Sequence, residues 1–581
     1  MKQFLKITLA TIVGITIVTV IGIFVMFGVI GAIAASGDSA TVLKPASVYQ
    51  LDLNGQLLDR SKDDSFERAL GEMYGSSTTT LGLDDILSNI EKAKNDPNII
   101  GIYLKGGMLS GGYASIKEIR DALVDFKETG KFIVAYADAY SQRNYYLVSV
   151  ADKLLLNRQG MLEWQGLASQ VTFYKNTLEK LGIEMQIVRV GTFKSAVEPY
   201  TNTKMSDDNR RQVTAFTQSV WNEMINAVSF SREISAENLN EYADELLLFQ
   251  PVEKTLEYGL VDSLVYVEDV KEIIKSYADG SDVNFVKHAA MKRVPNNAKY
   301  EKNKVAIIYA VGGIDGSAKD GIVSADLVET IQKAADDDAI KSVVFRVNSP
   351  GGSAYGSEQI WHALENLKAK KPLIVSMGNY AASGGYYIAC GADSILAQPN
   401  TLTGSIGVFG SIPNLSGLYE KLGLSFDVVK TNKQSDAISS NRAFTPEERN
   451  IMQAYVNRTY ELFTQRCADG REMTVEQIKE IAEGRVWTGE DAMKLGLVDG
   501  LGGLSDAVRI AADKADLLSY RVVEYPEKED FVTQLMKNFS ESMVTFLWQA
   551  RLGEHYEMYR KAVQLEKLNG VQASLPYEVV F

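Results

Sequence analysis

One serine of this sequence stands in a glycine-rich run directly after an apolar, strand-like segment. The segment is PLIVSM (372–377), and Ser383 lies in the run GNYAASGGYY (378–387) that follows it. A serine that opens a helix, here predicted over 384–391, meets free backbone N–H groups and the positive end of the helix dipole, which suits a nucleophile. The alternatives are a helix N-cap and a turn that needs glycine. Because position 381 is alanine, the run is not the G-x-S-x-G elbow of α/β-hydrolases.

A serine hydroxyl needs a base before it can attack a carbonyl carbon. The chain has three histidines, His288, His362 and His555, and none lies in a loop of matching position. Lysine can replace histidine as the base when burial lowers its pKa toward neutrality. Lys194 lies in the small-residue loop GTFKSAVEP (191–199), with no acidic residue within three positions on either side. The competing interpretation is an ordinary surface lysine, because the chain has 60 Lys and Arg residues.

A second glycine loop has the composition needed to stabilise the negative charge that such an attack creates. The segment RVNSPGGS (346–353) reads as a strand that ends in two glycines, Gly351 and Gly352. Free backbone N–H groups on a glycine loop are good donors to a developing oxyanion. The simpler interpretation is a tight turn whose backbone angles need glycine. Taken alone, neither the loop nor the serine decides between chemistry and structure.

The elements that must position these residues occur twice in the chain. Residues 100–123 (IGIYLKGGMLSGGYASIKEIRDAL) resemble residues 341–364 (KSVVFRVNSPGGSAYGSEQIWHAL), which lie 241 positions later. LGIEMQIV (181–188) matches LGLSFDVV (422–429) at the same offset, and three further pairs of segments match in the same order at nearly that offset. Each copy alternates short Val- and Ile-rich strands with amphipathic helices, a pattern typical of βαβ units with buried parallel strands. The sequence therefore predicts a tandem duplication of one α/β fold.

The two copies differ where chemistry is expected. The second copy has Ser383 within AASGG, whereas the first has SQRN (141–144) at that place. The first copy has Lys194, and the second has Ser435 at the matching position. A catalytic pair of this serine and this lysine therefore takes one residue from each copy, and the loop edges of the two copies must face each other.

Composition restricts the chain to a few classes of protein. With 581 residues it fits two domains plus extra segments, and a net charge of −14 argues against nucleic-acid binding, which needs a basic face. Two cysteines, Cys390 and Cys467, supply neither a disulfide framework nor the ligand spacing of a metal site. We expect no metal, no cofactor and no nucleic-acid partner.

The N-terminus carries a long apolar run. No charged residue occurs between positions 7 and 37, and about 20 apolar residues suffice to span a bilayer as a helix. Lys2 and Lys6 precede the run and Asp38 follows it, which by the positive-inside rule puts the N-terminus in the cytoplasm. A cleaved signal peptide is the alternative, but its apolar region is only about 7–15 residues long. We therefore predict a single membrane anchor.

These patterns divide the chain into five parts. They are, in chain order, a membrane anchor (1–40), a first repeat with the lysine (41–286), a linker (287–304), a second repeat with the serine (305–523) and a C-terminal helical tail (524–581). The linker is polar and basic and contains Pro295. The tail lies outside the repeat, and its apolar residues have helical spacing over residues 539–563.

Four motifs together resemble the signal peptide peptidase A family in its long, tandem-domain form. They are GTFKSAVEP (191–199), RVNSPGGS (346–353), AASGGYY (381–387) and TLTGSIGVFG (401–410), and the resemblance runs from the anchor to about residue 523. Relatives of this family include the Clp protease proteolytic subunit and the crotonases. The resemblance implies an α/β fold of two tandem Clp protease/crotonase-like ββα-superhelix domains after an N-terminal transmembrane helix.

The resemblance also implies roles for five residues. Ser383 takes the position of the family's nucleophile and Lys194 that of its general base, which together form a Ser/Lys dyad. Ser405 matches a serine whose hydroxyl orients that lysine. The backbone amides of Gly351 and Gly384 match the oxyanion hole.

The implied activity is that of a serine endopeptidase that degrades cleaved signal peptides and other apolar peptides at the membrane. The resemblance implies a homotetramer whose catalytic domains lie on the periplasmic side of a bacterial inner membrane. Two other functions stay open: an inactive membrane-anchored scaffold, and a crotonase-type enzyme acting on acyl-CoA. The acyl-CoA enzyme needs no Ser/Lys pair, and CoA is not available outside the cytoplasm. Lys430 and Lys433 are the next candidates for the base if Lys194 does not serve.

Overall fold

The structure is a computed structural model, and it describes residues 6, 8, 11, 13–18, 21–22, 40–61, 80–278, 280–295, 301–316, 321–527 and 570–574. Most of the predicted anchor (1–40) and all of the predicted tail helix (539–563) lie outside the described residues. The described positions between 6 and 22 are helical. Among the described residues, no helix combines the length and the apolar character that crossing a membrane requires.

The first repeat is built on a parallel sheet. The strands of this repeat are β1 (Ser47–Leu58), β2 (Thr80–Gly82), β3 (Ile99–Ser110), β4 (Phe132–Tyr140), β5 (Lys153–Leu162), β6 (Glu184–Val190), β7 (Ser263–Val265) and β8 (Asn284–Lys287), and all except β6 belong to the parallel sheet. The sheet order is β2-β1-β3-β4-β5-β7, and β8 pairs with the start of β1. Aliphatic residues such as Leu51, Ile102 and Ile133 are fully buried in these strands, as expected where helices cover a parallel sheet.

Helices surround this sheet and connect its strands. They are α1 (Leu83–Asn95), α2 (Tyr113–Lys127), α3 (Gln142–Val148), α4 (Lys175–Leu181), α5 (Glu198–Thr201), α6 (Asp207–Arg232), α7 (Ala236–Asp244), α8 (Glu253–Glu257), α9 (Val267–Ser276) and α10 (His288–Lys292), with 3-10 turns at Ser195–Val197 and Leu247–Phe249. Helix α1 illustrates why these segments form helices that pack on the sheet: its apolar residues Ile86, Ile90 and Ala93 recur at helical spacing and are buried. Helix α10 lies in the predicted linker.

The second repeat has the same construction. Its strands are β9 (Lys304–Val311), β10 (Ile340–Ser349), β11 (Gly351–Ser353), β12 (Leu373–Ala382), β13 (Ser394–Ala397), β14 (Leu402–Gly404), β15 (Val408–Asn414), β16 (Val486–Thr488), β17 (Gly500–Leu501) and β18 (Arg521–Tyr525). Its helices are α11 (Ser324–Asp336), α12 (Ala354–Lys368), α13 (Gly384–Tyr387), α14 (Ser416–Lys421), α15 (Pro446–Arg471), α16 (Val475–Ile481), α17 (Gly489–Lys494) and α18 (Leu504–Lys514). The main sheet runs β16-β14-β12-β10-β9-β18; β13 also pairs with β12, and β17 pairs with β13.

Equivalent helices of the two repeats recur at nearly constant offsets. Helix α14 starts 241 positions after α4, at Ser416 against Lys175. The long helices α6 and α15 both have 26 residues, and each ends at a glutamate in the left-handed conformation, Glu233 and Glu472. The duplication predicted from the sequence is therefore present in the fold.

A small antiparallel sheet joins the repeats. Strand β6 of the first repeat pairs with β15 of the second over seven residue pairs. Strand β19 (Gly570–Ser574), in the predicted tail, pairs with both β15 and β11. Residues 570–574 of the predicted helical tail therefore form a strand, and the predicted helix over 539–563 lies outside the described residues. Because β6 leads directly toward Lys194, this sheet decides where the lysine lies.

A buried ion cluster holds the repeats together beneath the glycine loop. Arg346, on β10 and fully buried, donates from Nε to the Asp59 Oδ1 at 3.0 Å and from Nη2 to the Glu118 Oε1 at 2.6 Å. Asp59 and Glu118 belong to the first repeat, and Asp59 also accepts from the Asn348 side chain. Burial raises the pKa of Glu118, and the charge of Arg346 opposes that rise. The cluster fixes β10 just before Gly351.

Candidate active site

Ser383 stands between strand β12 and helix α13 in a strained backbone conformation. Its φ is 57° and its ψ is −116°, angles that a non-glycine residue keeps only where the surrounding structure holds it. The Ser383 N–H donates to the Gly404 carbonyl at 2.8 Å, and the Ser383 carbonyl accepts from the Tyr387 N–H at 2.9 Å. The Ser383 side chain does not cap helix α13. Its hydroxyl is therefore not used as the N-cap that the sequence left open.

Lys194 reaches Ser383 from the other repeat. The Lys194 Nζ lies 2.7 Å from the Ser383 Oγ, and both residues are fully buried. The same nitrogen lies 3.0 Å from the Ser405 carbonyl oxygen and 3.1 Å from the Ser405 Oγ. None of these three oxygens carries a charge, and burial lowers the pKa of the Lys194 amine well below its usual value. A lowered pKa favours the neutral amine, which accepts a proton from a hydroxyl.

Two glycines of the second repeat make room for this lysine. Gly484 has a φ of 75°, and a Cβ there would lie 2.7 Å from the Lys194 Cβ. A Cβ on Gly407 would lie 3.2 Å from the Lys194 Cδ. Larger residues at either position would push the lysine away from Ser383. The sequence analysis missed Gly484, for which the only signal was a lone glycine in AEGRVW (482–487).

Ser405 lies directly after strand β14, and its backbone is also held in the left-handed region, with a φ of 51°. Its N–H donates to the Arg485 carbonyl at 2.7 Å, which anchors the turn. The hydroxyl and the carbonyl of Ser405 both face the Lys194 Nζ. The structure thus brings Ser405 to the place where a hydroxyl can orient the lysine.

The glycine loop after β10 has the backbone angles that require glycine. Gly351 and Gly352 have φ values of 99° and 153°. The sequence predicted a free N–H at Gly351, but that N–H donates to the Ser349 Oγ at 3.2 Å. The Ser349 hydroxyl in turn donates to the Gly312 carbonyl at 2.6 Å. At 3.2 Å the Gly351 hydrogen bond is long, so an oxyanion can replace the hydroxyl as acceptor.

The second predicted oxyanion donor, Gly384, directly follows Ser383 as the first residue of helix α13. Its neighbour Gly385 packs so closely on the glycine loop that a Cβ would lie 2.5 Å from the Ser349 carbonyl oxygen. This contact places the start of α13 against the loop that carries Gly351. The backbone around Ser383 is therefore built from residues that allow close approach.

A cleft between strands β11 and β15 runs beside Ser383 and is filled by strand β19. Gly351 and Gly352 pair with residues 574 and 573 of β19, and Phe409 pairs with residue 572, all in antiparallel orientation. Helix α13 lies against both β11 and β19. The β11–β15 cleft thus accepts an extended backbone next to the serine.

At the positions that match Ser383 and Lys194, the other repeat has side chains that form structural hydrogen bonds. Gln142, at the place of Ser383, accepts from the N–H groups of Gln165 and Gly166 at 2.9 and 3.0 Å. Ser435, at the place of Lys194, accepts from the Asn432 N–H at 3.1 Å. These positions hold loops in place and offer no nucleophile–base pair.

The remaining candidates from the sequence lie elsewhere. Lys430 and Lys433 pair with surface carboxylates. The ring of His288 contacts a tyrosine hydroxyl at 2.8 Å, and that of His362 contacts an asparagine one turn along α12. His555 lies outside the described residues.

The cysteines and the acidic residues supply no metal site in the part of the chain that the structure describes. Cys390 and Cys467 are buried and carry free thiols. No group of three or more His, Cys, Asp or Glu residues there could hold a metal ion.

Comparisons with known proteins place the chain in a family. The profile described as peptidase family S49 matches residues 125–281 and 365–518, which lie in the two repeats. Protease 4 of Salmonella typhi is 36% identical over 518 residues, which cover 86% of this chain and 83% of the relative. The chloroplastic serine protease SPPA of Arabidopsis thaliana is 32% identical over 491 residues, which cover 82% and 70% of the two chains.

Two further matches are partial. A putative signal peptide peptidase SppA of Enterococcus faecium is 35% identical over 246 residues, which cover 42% of this chain and 71% of the relative. A solved structure of a ClpP1 mutant from Listeria monocytogenes covers 35% of this chain and 94% of its own at 15% identity, with a TM-score of 0.24, too low to support a shared fold. Because the profile covers both repeats and full-length relatives align over most of the chain, this protein belongs to peptidase family S49.

Proposed function

We propose that Ser383 is the nucleophile and Lys194 the general base of this serine peptidase. The observation that carries the proposal is the 2.7 Å distance between the Lys194 Nζ and the Ser383 Oγ, both of them fully buried residues. Burial lowers the pKa of the amine, which makes it a proton acceptor. The strained backbone of Ser383 supports the same role, because strain of this kind is retained at functional sites.

The reaction proceeds in two halves. Neutral Lys194 takes the proton of the Ser383 hydroxyl while the Oγ bonds to the carbonyl carbon of the scissile peptide bond. The C–N bond then breaks as the Lys194 ammonium gives its proton to the leaving amine, and an ester remains on Ser383. Lys194 next takes a proton from water, which attacks the ester. The ester bond breaks as the Lys194 ammonium returns its proton to the Ser383 Oγ, and the carboxylic acid product leaves.

The N–H groups of Gly351 and Gly384 stabilise the oxyanion that forms in each half. Each donor of this kind is worth about 3–4 kcal/mol of transition-state stabilisation. The Gly351 N–H leaves the Ser349 Oγ when the stronger, charged acceptor forms. Ser405 holds the Lys194 amine in position through its hydroxyl and carbonyl oxygens.

The β11–β15 cleft is the proposed binding site for the peptide. Its two edges pair with the backbone of an extended strand, as they do with β19. Backbone pairing of this kind does not depend on the identity of the side chains. The enzyme is therefore an endopeptidase for extended, unfolded segments.

The proposed substrates are cleaved signal peptides and other apolar peptides at a membrane. One relative is named as a putative signal peptide peptidase, and the uncharged run over residues 7–37 suits an anchor that would hold the enzyme beside such peptides. We further propose a single-pass protein of a bacterial inner membrane, with the N-terminus in the cytoplasm and the catalytic repeats on the periplasmic side. A homotetramer and a Clp protease/crotonase-like arrangement of each repeat belong to the same proposal.

Hydrolysis of a fluorogenic apolar peptide in detergent tests the dyad. We expect Ser383→Ala and Lys194→Ala each to lower kcat by more than about a thousandfold, because the loss of either member of a catalytic pair removes most of the rate enhancement of the pair. Lys430→Ala and Lys433→Ala are matched controls, since both lysines pair with surface carboxylates, and we expect wild-type rates. Near-normal activity of a folded Lys194→Ala protein would contradict the proposal.

A further inference from the structure

The strand that leads to the proposed nucleophile is irregular shortly before it. Strands β10 and β12 pair in parallel as far as Val347 opposite Met377. The next matched pair is Ser349 with Ala381, so one residue of β10 stands opposite three residues of β12, 378–380. An insertion of this kind is a β-bulge, which bends the strand and re-aims the side chains that follow it. The 378–380 bulge therefore helps to set the direction in which β12 ends.

The side chain of Asn348 replaces the backbone pairing that the bulge interrupts. Asn348 is the residue of β10 that stands opposite the 378–380 bulge. Its Oδ1 accepts a hydrogen bond from the Tyr380 N–H at 3.0 Å. Gly378 makes room for this side chain, because a Cβ at Gly378 would lie 3.0 Å from both the Cβ and the Cγ of Asn348. The bulge is thus closed around the asparagine.

An acidic residue of the first repeat fixes the direction of the Asn348 amide. The Asn348 Nδ2 donates to the Oδ2 of Asp59, a buried residue directly after β1. The other oxygen of Asp59, Oδ1, accepts from the Arg346 Nε at 3.0 Å. A carboxylate accepts hydrogen bonds and donates none, so the amide nitrogen faces Asp59 and the amide oxygen faces the Tyr380 N–H. The first repeat therefore contributes to the shape of the strand before Ser383.

Two buried threonines hold the same segment from its other side. The Thr401 hydroxyl donates to the Gly378 carbonyl, and the Thr403 hydroxyl donates to the Ala381 carbonyl, each at 2.7 Å. Side chains thus supply hydrogen bonds on both sides of the bulge, where β12 departs from regular pairing. The irregular backbone is held by specific contacts.

The first repeat supports a link between this asparagine and the nucleophile. Gly107 takes the position of Asn348 241 positions earlier in the chain, and glycine has no side chain that could hold a bulge. Gln142 takes the position of Ser383. The amide side chain and the serine therefore occur together in one repeat, and the other repeat has neither of them at the matching positions.

We propose that Asn348 and Asp59 act together as positioning residues for the nucleophile. The pair holds the 378–380 bulge, and the bulge sets the strained backbone at Ser383, from which the Oγ reaches the Lys194 Nζ at 2.7 Å. Loss of the pair displaces the Oγ from the base, and a misplacement of about 1 Å can cost about a hundredfold in rate. The inference rests on the proposed roles of Ser383 and Lys194 and adds a requirement to them.

Exchanging the two side chains tests the pair. Asn348→Asp removes the donor and puts two carboxylates face to face, so we expect kcat to fall about ten- to a hundredfold. Adding Asp59→Asn puts the amide on the first repeat and the carboxylate on β10. The hydrogen bond within the pair and the acceptor for the Tyr380 N–H then both return, while the amide oxygen at position 59 still accepts from Arg346. We expect the double variant to recover kcat to within about threefold of wild type.

Kinetic constants distinguish positioning from a loss of folded enzyme. Asn348 lies outside β11 and β15, the proposed peptide edges, so we expect KM for a fluorogenic peptide to stay within about twofold of wild type. Labelling of Ser383 by a serine-directed probe should slow by the same factor as kcat but reach the same final occupancy, which counts the folded sites. Asn366→Asp is the matched control, because this asparagine of helix α12 is exposed, and we expect wild-type constants.

Asn348→Ala removes the amide without adding a charge, and as a second variant it should show the same fall in kcat. A kcat within about twofold of wild type for a folded Asn348 variant, or a double variant no more active than Asn348→Asp, would overturn the proposal. So would a final occupancy low enough to account for the whole fall in kcat. Ser383→Ala and Lys194→Ala are measured alongside. Activity in either contradicts the dyad, whereas their inactivity beside a wild-type rate for Asn348→Asp overturns only the positioning pair.

Discussion

The Lys194 Nζ and the Ser383 Oγ lie 2.7 Å apart although 189 positions separate the two residues in the chain. The pairing depends on β6, which carries the chain toward Lys194 along the edge of the second repeat. Each repeat supplies one half of a site that neither repeat contains alone. In the proposed mechanism, peptidase activity is therefore a property of the joint between the repeats.

The activity of the enzyme should rise with pH. Only the neutral amine of Lys194 accepts a proton, and its fraction grows as pH increases. Because burial lowers the Lys194 pKa well below 10.5, the rise should level off below the range in which an ordinary lysine titrates. We expect kcat/KM, measured with a neutral peptide, to increase about tenfold per pH unit before the plateau.

A matched variant distinguishes this effect from a general response to pH. Lys430→Ala leaves the dyad intact, so its profile should superimpose on that of wild type. A flat profile from mildly acidic to alkaline pH would show that no group with a lowered lysine pKa controls the rate.

Replacing Ser405 with alanine should slow the reaction without abolishing it. The variant removes the hydroxyl 3.1 Å from the Lys194 Nζ but keeps the backbone carbonyl at 3.0 Å. We expect kcat to fall about ten- to a hundredfold, less than the ~10²–10⁴ that a general base contributes, with KM unchanged. Steady-state kinetics with Ser405→Ala, and with Ser405→Thr as the variant that restores a hydroxyl, measures this. An equal fall of kcat in both variants would show that the backbone turn at Ser405, and not its hydroxyl, controls the rate.

Replacing Arg346 with methionine should destabilise the protein by about 3–5 kcal/mol, because it leaves Asp59 and Glu118 buried without their cation. Urea unfolding followed by circular dichroism gives the free energy. Adding Asp59→Asn and Glu118→Gln to Arg346→Met should restore much of the loss, since the buried charges are then gone. A single variant as stable as wild type would show that the cluster does not hold the repeats together.

Removing strand β19 should strengthen peptide binding. In the described structure β19 pairs with Gly351, Gly352 and Phe409 in the proposed peptide site, so a substrate must displace it. For a chain that ends at residue 569, we expect KM for a short peptide to fall several-fold at unchanged kcat. A lower kcat at unchanged KM would mean that β19 supports the glycine loop and does not compete with substrate.

The roles of the site residues were predicted from the resemblance to a known family, and the internal duplication supported the choice of Lys194 and Ser383. Comparison of the two copies showed that Lys194 and Ser383 each lack a counterpart in the other copy, and the structure brings these two residues together. The alternation of short apolar strands and amphipathic helices likewise predicted the parallel sheets. These features follow from patterns within short segments, and such patterns are visible in the sequence itself.

Other features depend on contacts between distant segments, and the sequence did not reveal them. The hydrogen bond from the Gly351 N–H to the Ser349 Oγ depends on a side-chain rotamer. The close packing of Gly484 on Lys194 joins residues 290 positions apart, and residues 570–574 pair with strands β11 and β15 far earlier in the chain. Strand pairing follows from three-dimensional neighbours, so no local pattern marks β19 as part of the cleft.

The separation of Lys194 from Ser383 also affects the biosynthesis of the enzyme. With Lys194 as the proposed base and Ser383 as the proposed nucleophile, a growing chain contains the base long before the nucleophile, and the two residues meet only when the second repeat has folded against β6. The nascent protein therefore cannot cut itself or its neighbours while it is still unfolded and most vulnerable to cleavage. Completion of folding acts as the activation step, which a zymogen achieves by removal of a propeptide.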